Sequence, residues 1–193
     1  MVLTIIIIGP SAIKNIKILA NINEIKSDIL ILGAGGAAQS IIHDLQTRVP
    51  RVIAIANRTK EKVKPVVSRF PPLDYDDLYP NTQVVDIETY LSEWDFQGFH
   101  TLINATSAKE ELDFKWCESL PIEDVKNFYD LSYSKLGETT PFVKWAKTQD
   151  IGATRTIVSD GFGMLIHQAA LSFEVWTGIK PDTKITKAEL FDE

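Results

Sequence analysis

One stretch constrains this chain more than any other: Asp28-Ile29-Leu30-Ile31-Leu32-Gly33-Ala34-Gly35-Gly36-Ala37-Ala38-Gln39-Ser40. Ile29 to Leu32 is an unbroken apolar run, the pattern of a parallel strand covered on both faces. It enters Gly33 directly, so the chain must turn there and open a helix. Gly33 permits the sharp turn. Gly35 lacks a Cβ, so backbone can approach a pyrophosphate resting on unpaired helix N–H groups and on the positive end of the helix dipole. Ala38 stands where a third glycine is common, and it is small enough for close helix–strand packing. The same spacing also occurs as plain packing after an apolar strand, so the turn needs support from elsewhere in the chain.

The next strand, 52–56, supplies it. It runs into Asn57-Arg58-Thr59-Lys60-Glu61-Lys62, where a dinucleotide fold usually sets a carboxylate against the adenosine ribose. A carboxylate there repels a 2′-phosphate, whereas Arg58 can grip one bidentately, with Thr59 and Lys62 adding a donor and a charge. The residues therefore predict NADP(H) as cofactor. The competing reading of Arg58 and Lys62 is a solvated charged face at a helix start.

Composition sets the outer bounds. A chain of 193 residues holds one good-sized domain that buries about 70% of its unfolded surface. A net charge of −6 lacks the positive field that nucleic acid or an anionic membrane requires, so neither is expected as partner. The single cysteine, Cys117, excludes an internal disulfide and a cysteine-rich metal site, and it suits a reducing cytosol. His43, His100 and His167 fit no metal-ligand spacing. The apolar start at 2–8 lacks a positive leader, is too short to span a bilayer, and ends at Gly9-Pro10 as a strand does.

Along the chain, the pattern predicts a lead-in strand and helix over 1–27, with Ser11 capping a helix over 12–25. The dinucleotide helix follows over 36–47. Thr59 is the expected cap of a helix carrying Val63, Val66, Val67 and Phe70, in which Pro65 forces a kink or a late start. A loop over 74–81, a short strand over 82–85 and a short helix over 88–94 come next. A strand over 100–107 ends in Thr106 and Ser107, whose hydroxyls either face the cofactor or cap a helix. The exit at 127–133, a helix opened by Thr140-Pro141 and running through Lys147, a strand over 154–158 and a helix over 164–176 complete the alternation. The fold class is α/β: a Rossmann-like, doubly wound, mostly parallel sheet. Gln168, on that mainly apolar last helix, must find partners in the backbone or point at a polar ligand.

Taken together, Gly33-Ala34-Gly35-Gly36-Ala37-Ala38, Asn57-Arg58-Thr59, Ile103-Asn104-Ala105-Thr106-Ser107, Thr140-Pro141-Phe142 and the closing run from Asp160 through Gly161 and Gln168 to Ala170 resemble the cofactor-domain motifs of shikimate dehydrogenases. The resemblance covers about 28–181. Glutamyl-tRNA reductases resemble the first two motifs but not the closing one. The shikimate dehydrogenase resemblance implies NADPH-dependent reduction of 3-dehydroshikimate to shikimate, in the cytoplasm, by an NADP-binding Rossmann-like domain over 28–193. It assigns the pyrophosphate to Gly33, Ala34, Gly35, Gly36 and Ala37, and the 2′-phosphate to Asn57, Arg58, Thr59 and Lys62. Thr106, Ser107, Leu131 and Gly161 are implied near the ribose and nicotinamide, and Tyr133 and Gln168 at the substrate, shikimate or a related acid such as quinate.

The departures from the family pattern are equally specific. The family's separate substrate domain, with its serine pair and its lysine–aspartate pair for proton transfer, has no counterpart here, and Ile8 falls where the pattern expects an aspartate. Ser107 is followed by Ala108-Lys109-Glu110 instead of the usual glycine. Ketone reduction needs a proton donor as the alkoxide forms, and no catalytic residue is assigned. Two readings follow: the cofactor-binding half of such an enzyme, partnered by a separate substrate domain or a second copy, or a non-catalytic NADP-binding or regulatory module.

Overall fold

A computed structural model describes residues 10–14, 28–46, 51–72, 82–93, 98–149, 156–186 and 188–189. Short apolar runs punctuated by helices give β1 (Ile29–Leu32), α1 (Gly36–Gln46), β2 (Val52–Ala56), α2 (Lys64–Val67), β3 (Gln83–Asp86), α3 (Ile87–Glu93), β4 (Thr101–Asn104), β5 (Asn127–Asp130), α4 (Pro141–Thr148), β6 (Ile157–Ser159) and α5 (Phe162–Thr177). The strands form one parallel sheet in the order β3-β2-β1-β4-β5-β6. The chain winds outward from β1 in both directions, so the order reverses between β1 and β4. Crevices for ligands open at that switch point, beyond the carboxyl ends of the strands.

Side chains alternate across the strands and build a core on each face. Ile29 and Ile31 join Ile41, Ile42 and Leu45 of α1 in one cluster, while Leu30 and Leu32 join Tyr90, Phe99, Phe128, Phe142 and Trp145 in the other. Each of the α1 side chains Ile41, Ile42 and Leu45 is fully buried, an environment that contributes about 1.5–3 kcal/mol per residue. Phe114 stacks on Trp145 with ring centroids 5.7 Å apart, extending the second cluster. Among the described residues, no helix is long and apolar enough to cross a membrane.

Several boundaries differ from expectation. The lead-in strand and residues 15–25 of the first helix lie outside the described residues, as does the loop over 74–81. At 10–14 the backbone is already helical, so Ser11 sits inside the helix rather than capping it. Thr59 occupies a cap position without making a side-chain cap bond; a 3-10 turn, Lys60–Lys62, intervenes, and α2 begins late around Pro65. A 3-10 helix, Glu111–Ser119, was not expected. Its buried residues Phe114 and Cys117 are spaced by three, matching three residues per turn rather than 3.6. Burial pushes the Cys117 thiol up to about 12, so it stays protonated and inert, as a bystander should.

At the amino end of the sheet, Asp28 is buried and accepts from Arg51 Nε at 3.1 Å, from Arg51 Nη2 and from Tyr90 Oη. This cluster ties the starts of β1 and β2 to α3. Tyr90→Phe removes one donor from a buried carboxylate, and its expected cost is about 1.5–3 kcal/mol in urea denaturation. An unchanged midpoint would mean that Arg51 satisfies Asp28 alone.

Candidate functional site

The switch point is closed by backbone. Gly33 has φ +107°, and its N–H donates to Ala56 O at 2.8 Å, while Ala105 N donates to Leu32 O at 2.8 Å. A Cβ on Gly33 would lie 2.9 Å from Ala105 O. Both the left-handed φ and this close approach demand glycine. Beyond it, Gly35 and Gly36 are exposed, and a Cβ on either would meet nothing within 4 Å. Their backbone is therefore open to the crevice. Gly35 O accepts from Gln39 N at 3.1 Å, and no acidic residue stands in the first turn of α1. The N–H groups at the start of α1 thus have no carboxylate of their own turn competing for them.

These residues border a cleft of about 790 Å³ lined by the first turn of α1, the β2 exit and the β4 exit. Of the residues expected to hold a cofactor, Gly33, Ala34, Gly35, Gly36, Ala37, Asn57, Arg58, Thr59, Lys62, Thr106 and Ser107 all line it. Arg58 is 73% exposed in its side chain. Asn57 Nδ2 donates to Thr59 O at 2.7 Å, which shapes the loop presenting that arginine. Lys109, Glu110, Asp113 and Trp116 complete the wall, and all four were missed in the sequence. Lys60, in contrast, is turned toward an ion pair with Glu88.

The β4 and β5 exits are held by a buried polar network. Asn104 Nδ2 donates to Asp130 Oδ1 at 2.8 Å, and Asn104 Oδ1 accepts from Thr106 N at 3.1 Å and Thr106 Oγ1 at 2.7 Å. Thr140 Oγ1 donates to Asp130 Oδ2 at 2.6 Å and accepts from Val143 N at 3.2 Å, capping α4 as expected. Burial raises the Asp130 carboxyl above its ordinary range, against the donors that hold it down. The Thr106 hydroxyl donates to Asn104 Oδ1 and accepts from Ala108 N at 3.4 Å, so its proton is not free to donate into the cleft. The 3-10 helix that follows is capped by Glu110, and Ser107 is exposed.

Leu131 and Gly161 are not among the cleft-lining residues; they meet each other at the next strand exits. Gly161 N donates to Ser132 O at 2.8 Å, and a Cβ on Gly161 would lie 2.3 Å from Leu131 O. Tyr133, 48% exposed, sits on the loop between β5 and α4. That loop is joined to the β6 exit through Ser134 Oγ and Asp160 Oδ2 at 3.3 Å. Gln168 is half-buried on α5. Because α5 starts at Phe162, earlier than expected, Gln168 lies nearly two turns into it rather than one.

Comparison with known proteins agrees with this architecture. Residues 17–121 match the family model "Shikimate / quinate 5-dehydrogenase", and residues 161–191 match "Shikimate 5'-dehydrogenase C-terminal domain". The shikimate dehydrogenase (NADP(+)) of Colwellia psychrerythraea is 38% identical over 159 residues, covering 82% of this chain and 52% of that protein. A crystal structure of a shikimate dehydrogenase in complex with NADP+ superposes with a TM-score of 0.63 at 28% identity, over 96% of this chain and 60% of the other. That of shikimate 5-dehydrogenase from Thermus thermophilus, in complex with NADP(H) and shikimate, gives 0.62 at 25% identity, over 91% and 58%. The chain spans about half the length of the curated relatives it matches.

The contact between Gly161 and Leu131 is the tightest at these exits. Gly161→Ala forces the Leu131 carbonyl to move, and its expected destabilisation is about 1–3 kcal/mol, measured by chemical denaturation. An alanine variant of native stability would show that the two loops separate freely.

Proposed function

The chain belongs to the shikimate / quinate 5-dehydrogenase family, and from that premise we propose that it is the cofactor-binding half of an NADPH-dependent reductase that converts 3-dehydroshikimate to shikimate. The observation that carries this reading is the single cleft joining the open start of α1 to Arg58. The cleft fits the dinucleotide on physical grounds. Gly35 and Gly36 leave room for backbone to approach a pyrophosphate, the helix start is free of carboxylates, and Arg58 with Lys62 offers cations at the β2 exit. When bound, the reduced nicotinamide supplies a hydride.

Within this reading, the protein's own residues bind and orient. Gly33, Ala34, Gly35, Gly36 and Ala37 hold the pyrophosphate. Asn57, Arg58, Thr59 and Lys62 hold the 2′-phosphate, and Thr106, Ser107, Leu131 and Gly161 flank the ribose and nicotinamide. Tyr133 and Gln168, whose polar tips have no hydrogen bond to the described residues, orient the hydroxyls or carboxylate of a small acid, shikimate or quinate. The proton for the nascent alkoxide comes from a separate substrate domain. The site of action is the cytoplasm, where a buried, protonated Cys117 is at home.

Charge reversal tests the cofactor assignment. Arg58→Asp is expected to lower the preference for NADP+ over NAD+ by about tenfold or more in a fluorescence titration of both cofactors. An unchanged ratio would remove the 2′-phosphate from this loop.

The purified chain alone is expected to oxidise shikimate negligibly, because a positioned acid or base contributes about 10²–10⁴-fold and substrate positioning contributes more. Robust NADP-dependent turnover would instead place the proton donor among these 193 residues.

A further inference from the structure

The wall of the cleft opposite Arg58 carries a carboxylate held in place by backbone. Asp113 Oδ2 accepts from Lys109 N at 3.1 Å and from Glu110 N at 3.2 Å. It forms one side of a capping box whose other side is the Glu110 carboxylate on the Asp113 backbone N–H. Asp113 Oδ1 faces Arg58 Nη1 at 3.4 Å. The two residues are 55 positions apart in sequence, and both line the same cleft. Arg58 is a long exposed arm, whereas Asp113 is anchored on the first turn of its 3-10 helix. The backbone donors also hold the Asp113 carboxyl below its ordinary range, with Arg58 adding to the effect, so it is charged at neutral pH.

A dinucleotide fold that prefers NAD(H) sets a carboxylate at the end of its second strand, where it accepts from the ribose hydroxyl and repels a phosphate. This chain has no carboxylate there. It delivers one to the same guanidinium from across the cleft.

Resting on the NADP(H) reading above, we propose that Asp113 is a specificity-determining residue that moderates the preference for NADP(H) over NAD(H). It holds Arg58 when no 2′-phosphate is present and opposes the phosphate when one arrives. Phosphate is the stronger partner for this guanidinium because it carries more charge and can take it bidentately, whereas Asp113 meets Arg58 through Oδ1 alone, its Oδ2 being held by Lys109 N and Glu110 N. Arg58 therefore swings from Asp113 to the phosphate, while the fixed Asp113 charge stays within Coulomb range of it. A bare ribose hydroxyl meets no such repulsion and can donate to the carboxylate. The residue thus narrows a discrimination that Arg58 alone would make wider.

The test titrates the full chain with NADP+ and with NAD+ by calorimetry, in the native protein, Asp113→Asn, Arg58→Ala and the double variant. Asp113→Asn keeps an acceptor for the two backbone N–H groups and removes the charge. It is expected to raise the NADP+:NAD+ affinity ratio by about two- to fivefold, mostly through tighter NADP+ binding. The same substitution in the Arg58→Ala background is expected to change the ratio less, because the partner whose release is at issue is gone. Asp113→Ser, whose hydroxyl still caps, gives the same shift if Asp113→Asn proves unstable. Two neutral variants that fold and leave the ratio unchanged overturn the proposal. If Arg58→Asp shifts that ratio at the same time, the cofactor reading survives; if it does not, that reading falls too.

Discussion

The close approach of Gly33 to the β4 exit is the constraint on which the rest of the structure depends. A positive φ and the absence of a Cβ, which would lie 2.9 Å from Ala105 O, let β1 end, turn and start α1 in the space between β2 and β4. Its N–H is spent on Ala56 O and the neighbouring Leu32 carbonyl on Ala105 N, so the turn is stitched to strands on both sides. Because the strand order reverses there, the turn stands at the mouth of the crevice and the start of α1 faces into it. Packing of Ile41, Ile42 and Leu45 against the sheet then fixes the direction of the helix dipole. Stability and ligand geometry are the same feature seen from two sides.

A second layer holds the neighbouring loops to that turn. Asn104 and Asp130, both buried at the carboxyl ends of adjacent strands, link the Thr106 loop to the cap of α4. A buried polar network is costly unless its members are satisfied. Here the carboxylate receives Asn104, Ser132 N and Thr140. The Thr106 hydroxyl therefore acts chiefly to shape its loop.

Much of the architecture was legible because it is encoded locally. Four apolar residues followed by glycine, a Thr-Pro helix start and an apolar helix ended by Gly178 in the left-handed conformation can each be read within a few positions. That Arg58 would border the crevice was legible for the same reason, since its place just after β2 is fixed locally. What escaped is either non-local or off the usual period. The pairing of Arg58 with Asp113 spans 55 positions, and the clash that demands glycine at 161 comes from Leu131 at the exit of β5. The 3-10 helix over Glu111–Ser119 hides from a search tuned to periods of 2 and 3.6. Thr59 makes no cap bond because Pro65 delays the start of its helix, and Ser11 already lies within helical backbone.

The central claim is that one cleft, between the start of α1 and the β2 and β4 exits, holds a dinucleotide. An amide NMR titration of the chain with NADP+ tests it most directly. The account predicts that the shifted resonances concentrate at 33–38, 57–62 and 105–110. No perturbation, or shifts confined to the neighbouring cavity of about 570 Å³ bordered by Ile87, Leu91 and Leu120, would contradict it.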